Sequence, residues 1–117
     1  MGDLTRNFSN SEFSCKCGCG FDDISLELVA VLQAIRDITG PLKINSGCRC
    51  EAYNKSIGGK ELSAHPDGDA ADLHCISSTM RFQIIDTALQ LGVSRIGVYK
   101  NFIHLDLSNR LPLEVIW

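Results

Sequence analysis

The chain has 117 residues, a size that supports one hydrophobic core and leaves no room for two independently folding domains. Apolar residues make up 44% and charged residues 21%, near the averages for globular chains, which argues against a disordered or fibrous protein. Net charge is −3 and the lysines and arginines are scattered singly from Arg6 to Arg110, so binding to nucleic acid or an anionic membrane through a basic face is not expected.

Residues 7–20 are rich in Ser, Gly, Asn and Cys and lack periodicity. They read as part of an irregular strap over 1–23, anchored by Phe8 and Phe13, within a single domain of 1–117. From Ile24 the apolar positions Leu28, Val31, Leu32, Ile35 and Ile38 follow helical spacing, with Ser25 as N-cap and Gly40-Pro41 as the stop. Leu42 to Asn45 alternates apolar and polar before Ser46-Gly47, which predicts a short strand. Glu51 to Ile57 holds about two helical turns before Gly58-Gly59.

Ala70 to Cys75 reads as a buried or half-buried strand, followed by a helix over Thr79–Leu91 that presents Phe82, Ile85, Ala88 and Leu89 on one side. Ser94–Tyr99 and Phe102–Leu107 flank Lys100-Asn101 with hairpin spacing. The order implies an α+β domain, a small and mainly antiparallel sheet with helices packed on one face. No apolar stretch approaches the ~20 residues of a membrane span, and the start lacks the basic-then-apolar order of a secretory signal. Membrane insertion and self-export are therefore not expected.

The six cysteines fall into three groups, Cys15-Lys-Cys17-Gly-Cys19, Cys48-Arg-Cys50 and Cys75. Six thiols allow many pairings, and C-x-C is a weaker metal signal than C-x-x-C. Reduced thiols, disulfides between the groups and a metal knuckle all remain open, in that order of preference.

Chemistry concentrates in His65-Pro-Asp-Gly68-Asp-Ala70-Ala-Asp72 and in Phe102-Ile-His104-Leu-Asp106. Small residues at Gly68 and Ala70 let the loop fold back so that His65 and Asp72 converge, and His104 on the second hairpin arm offers a third ligand. Two imidazoles and one carboxylate leave a coordination position open, as in catalytic rather than structural zinc sites. His74, two residues past Asp72, reads as a partly buried structural histidine. Tyr53 and Tyr99 read as packing residues near the cleft, and Trp117 as a core or edge plug.

These segments, with Ser46-Gly47-Cys48-Arg49, Tyr53-Asn54, Gly58-Gly59 and Ser63-Ala64-His65, give the chain from about Ile44 to Asp106 an order that resembles the zinc D-Ala-D-Ala carboxypeptidase family of peptidoglycan peptidases, which includes phage endolysins. The resemblance implies a hedgehog-like and DD-peptidase-like fold, one Zn2+ held by His65, Asp72 and His104, and peptidoglycan stem peptides as substrate. It also implies that Arg49 grips the substrate near the metal and that Ser63 steadies the ligand loop and borders the substrate. Arg49 suits a terminal carboxylate because its guanidinium is a fixed bidentate fork.

Part of that family carries Glu or Asp three residues before the last histidine, where this chain has Asn101, which cannot take a proton. Asp106 lies on the same strand face as His104, roughly 7 Å along, and is the expected general base. It serves equally as a carboxylate orienting a ligand imidazole. Asp67 and Asp69 are lesser candidates. The expected protein is a monomeric zinc peptidase, cytoplasmic until phage-type lysis or carried in a virion. The alternative is a non-catalytic zinc-binding interaction module of the same fold, as in the related hedgehog signalling domain.

Overall fold

A computed structural model describes residues 2–60 and 62–117; Met1 and Glu61 lie outside the described residues. The strap makes one short 3-10 turn, Asn10–Phe13, and its Phe8 and Phe13 side chains are fully buried, as their apolar bulk requires. Helix α1 spans Leu26–Thr39, strand β1 Ile44–Ser46, helix α2 Glu51–Ser56 and strand β2 Ala70–His74. Helix α3 follows over Ser78–Gln90, then strands β3 (Arg95–Val98), β4 (Phe102–Asp106) and β5 (Val115–Ile116). Both long helices start as their sequences specify. The Ser25 hydroxyl accepts from the Leu28 backbone N–H, and the Ser77 hydroxyl from that of Met80.

The five strands run in the order β1-β2-β4-β3-β5. All neighbours are antiparallel except β3 and β5, and this parallel pair of two residues was not expected from the sequence. Strand alternation divides the sheet cleanly. Ile44, Ala71, Leu73, Ile96, Ile103 and Leu105 point into one core with Leu28, Leu32 and Ile35 of α1 and Ile84 and Ala88 of α3. The fold is α+β, and the opposite sheet face is free to carry Asp72, Arg95, His104 and Asp106.

Two helix faces differ from the amphipathic reading. In α1, Val29 is buried and Ile38 exposed. In α3 the buried side is Ile84, Thr87 and Ala88, while Phe82 and Leu89 are exposed at 71% and 51%. Phe82 and Leu89 are seven positions apart and share one flank, but α3 meets α1 through the neighbouring stripe. Of the expected face, Ala88 is buried and Ile85 packs against the core, while Phe82 and Leu89 are not covered.

The loop before β2 is built around Gly68, whose φ of 75° lies in the left-handed region. A Cβ there would stand 2.1 Å from the Asp23 backbone oxygen, and the Gly68 carbonyl accepts from the Ser25 N–H at 2.8 Å. Gly68→Ala is thus strained in φ and in space. It is expected to destabilise the protein by about 2–3 kcal/mol and lower Tm by on the order of 10 °C, read by thermal unfolding. An unchanged Tm would show that the loop has room the geometry denies it.

Candidate metal centre

Three elements deliver the ligands. His65 opens a 3-10 turn, His65–Asp67, whose Pro66 fixes φ just inside the turn. Asp72 is central in β2 and His104 central in β4, directly opposite each other in the antiparallel register. One ligand atom from each residue lies within 4.8 Å of the others. His104 Nδ1 is 2.9 Å, and His65 Nε2 3.3 Å, from Asp72 Oδ1. Tetrahedral coordination at ~2.0–2.1 Å requires edges of about 3.3 Å, so the set needs little adjustment.

The partners behind each imidazole fix which nitrogen is offered. His65 Nδ1 lies 2.6 Å from the Gly47 carbonyl oxygen and must donate to it. The lone pair therefore sits on Nε2, which is buried, has no hydrogen-bond partner among the described residues, and faces a carboxylate. A buried lone pair against an anion is satisfied by a cation between them. On His104 the Nε2 donates to Asp106 Oδ2 at 2.7 Å, leaving Nδ1 to face Asp72. The carboxylate–histidine arrangement of zinc sites has this form, and the donor chemistry fits zinc.

Electrostatics agree with that geometry. Burial acts to raise the Asp72 carboxyl, but the imidazoles, His104 foremost, overcome it and hold Asp72 well below the usual carboxylate range. Burial acts to lower His104, and its bonds to Asp106 and Asp72 overcome that and raise it.

Asp106 stands behind His104 in the wall of the cleft. It is 1% exposed, and its second oxygen accepts from Arg95 Nε at 2.8 Å and from the Ser108 backbone N–H at 3.1 Å. With both oxygens hydrogen-bonded, Asp106 is placed as a carboxylate that orients the His104 imidazole, one of its two expected roles. Asp106→Asn is expected to weaken zinc binding at this centre about 10–100-fold, measured by competition with a chromophoric chelator. An unchanged affinity would mean that Asp106 does not govern the ring.

The remaining predicted residues fall into place unevenly. Ser63 is buried and its hydroxyl accepts from the His65 backbone N–H at 3.2 Å, so it steadies the ligand loop. Arg49 lines the cleft over the three ligands, which encloses about 540 Å³, and its backbone N–H donates to the His65 carbonyl. Burial lowers the Arg49 pKa, and its Nε is buried without a hydrogen-bond partner among the described residues. Tyr99 also lines the cleft. His74 is exposed at the end of β2 and outside the ligand set, which corrects the expectation of a partly buried histidine. Asn101 sits exposed in the β3–β4 turn, and Asp67 pairs with Arg110 at 2.5 Å.

Sequence reasoning missed Arg95, Gly47, Arg110 and the role of Trp117. Gly97 stands opposite His104 in the β3–β4 register, and the Trp117 indole packs on it, with a Cβ at Gly97 only 2.8 Å from the ring. Trp117 thereby reaches the His104 ring at 5.4 Å and donates from Nε1 to the Tyr99 hydroxyl at 2.7 Å. The edge-plug reading of Trp117 is thus extended to the wall of the site. Only β5, which carries Trp117 to this position, could have signalled it.

A buried two-histidine, one-carboxylate set whose free nitrogens are fixed from behind and which opens into a cleft defines a metallohydrolase-type centre. The sequence profile of the peptidase M15 family matches residues 6–106, and the chain belongs to that family. Its members are zinc-dependent metallopeptidases, and the residues needed to hold the metal are present here. No curated protein matches the chain. Among the described residues no helix is long and apolar enough to cross a membrane.

Proposed function

We propose that the chain hydrolyses a peptide bond in the stem peptides of bacterial peptidoglycan, as a D-Ala-D-Ala carboxypeptidase or an endolysin-type endopeptidase. The observation that carries this reading is Arg49. Its guanidinium shares one cleft with His65, Asp72 and His104, and its Nε finds no partner among the described residues. An arginine in that state suits a substrate carboxylate next to the bond being cut.

His65 Nε2, Asp72 Oδ1 and His104 Nδ1 would hold one zinc ion. When bound, zinc supplies Lewis acidity to a scissile carbonyl and lowers the pKa of a water. The chain's own residues do the positioning. Gly47 and Asp106 lock the two imidazole rings, Ser63 fixes the turn that carries His65, and Arg49 orients the substrate through its carboxylate. Trp117 and Tyr99, joined by a hydrogen bond, form one wall of the cleft.

One observation favours a second reading, a non-catalytic zinc module. Among the described residues lining the cleft, the carboxylates are Asp72 and Asp106, one a ligand and the other committed to His104 and Arg95. The deciding experiment incubates zinc-loaded protein with muropeptides ending in D-Ala-D-Ala and with intact sacculi, and follows the products by mass. A chelator control and zinc add-back complete it. Zinc-dependent loss of terminal alanine is the expected result for a carboxypeptidase, and an internal cut that for an endopeptidase. Intact substrates in the presence of bound zinc would leave the module as the working description.

A further inference from the structure

We propose that Cys15, Cys17, Cys19 and Cys50 form a second metal site, a structural tetrathiolate centre for one Zn2+, separate from the histidine centre. Their four Sγ atoms all lie within 4.8 Å of one another. Cys15 and Cys17 Sγ are 3.4 Å apart, and Cys17 and Cys50 Sγ 3.6 Å apart. A zinc–sulfur bond of ~2.3 Å sets tetrahedral sulfur–sulfur edges of about 3.8 Å, close to these separations. A disulfide needs ~2.05 Å, and all six cysteines are free thiols.

The backbone explains how an alternating C-x-C-x-C segment converges instead of spreading along a strand. The Cys15 N–H donates to the Phe21 carbonyl at 2.8 Å and the Gly18 N–H to the Cys15 carbonyl at 3.3 Å, which closes 15–21 into a tight loop. Gly18 and Gly20, at φ 83° and 89°, supply two left-handed turns within that loop. Two further backbone donors point at sulfur, the Cys50 N–H at Cys15 Sγ and the Tyr53 N–H at Cys50 Sγ, both at 3.4 Å. Such N–H···S bonds favour thiolates, the form that ligates a metal.

The other two thiols separate from this group. Cys48 and Cys75 are each 1% exposed and neither belongs to the cluster, whereas Cys17 and Cys19 are exposed where an ion can enter. Four soft donors gathered at tetrahedral spacing, with the two remaining thiols buried apart, select zinc over a hard cation. The position also has a consequence. An ion there ties the strap to the segment from Gly47 to Cys50, which holds His65 through the Gly47 carbonyl and presents Arg49 to the cleft.

The test counts metal by elemental analysis on reduced, zinc-loaded protein and records the spectrum of the cobalt-substituted form. Two zinc ions per chain are expected. Cys17→Ser with Cys19→Ser should reduce this to one and abolish the sulfur-to-cobalt charge-transfer band. His65→Ala with His104→Ala should also leave one ion but keep that band, so failure of the histidine centre is distinguishable from failure of this one. Should the cysteine variant not fold, the wild-type spectrum and the protection of the clustered thiols from alkylation until chelation still decide. One zinc per wild-type chain without a thiolate–cobalt band, or a mass showing disulfides among these cysteines in the isolated protein, would overturn the assignment.

Discussion

Asp72→Ala is expected to lose zinc from the histidine centre, and hydrolysis with it, while the fold survives. Structural zinc sites bind with about 10–16 kcal/mol over four ligands, so one ligand represents roughly 3–4 kcal/mol, or two to three decades in affinity. Asp72 is the ligand whose loss should be felt most, because its Oδ1 lies within 3.3 Å of both histidine nitrogens and is, among the described residues, the anion they share. Without it two lone pairs would meet with no charge to offset the ion. Asp72→Asn keeps the shape and one oxygen but removes the charge, and should fall between Asp72→Ala and wild type. Competition with a chelator reads the affinity, and turnover at saturating zinc reads what remains of the activity. Thermal unfolding under chelation checks the fold, for which the lost bond to His104 predicts a decrease of only about 1–3 kcal/mol. If Asp72→Ala retained stoichiometric zinc at wild-type affinity, the three-ligand centre would be wrong.

Much of this centre was legible in the sequence because its signals are local. His65 to Asp72 spans a turn and a strand entry, and His104 lies in a hairpin arm whose partner strand is set by Lys100-Asn101. Helix α1 announced its ends through Ser25 and Gly40, each acting within one turn. What stayed hidden depends on pairing between distant segments. Arg95 and Asp106 face each other only because of the β3–β4 register, and by seating one Asp106 oxygen on Arg95 that register favours the imidazole-orienting role over the general-base role, two readings the sequence left even. Gly47 becomes a partner of His65 through a backbone carbonyl, which no residue type reveals. Trp117 reaches the site through β5, whose two-residue parallel pairing leaves no periodic trace. The same limit explains α3: apolar spacing shows that a helix has a stripe, while the neighbour that covers it is chosen by the tertiary fold.

Arg49→Ala is expected to reduce kcat/KM on substrates with a free carboxylate by about 10²–10³, equivalent to ~2.7–4 kcal/mol, with zinc content unchanged. The Arg49 side chain and backbone have separate tasks. The Arg49 N–H supports the His65 carbonyl whichever side chain is attached, so truncation should leave the ligand turn intact. What it removes is the half-buried guanidinium, whose Nε finds no partner among the described residues. Arg49→Lys restores the charge without the planar fork and should recover only part of the loss. The paired substrate is one whose terminal carboxylate is converted to an amide. If Arg49 grips that group, amidation should harm the wild type by nearly the full factor and Arg49→Ala very little, because the two changes remove one interaction. Additive losses would instead place Arg49 on another part of the substrate, and an amide cleaved equally well by wild type would remove the carboxylate from recognition. That outcome would favour an internal bond over a terminal one, since an endopeptidase has no chain end to hold beside the metal.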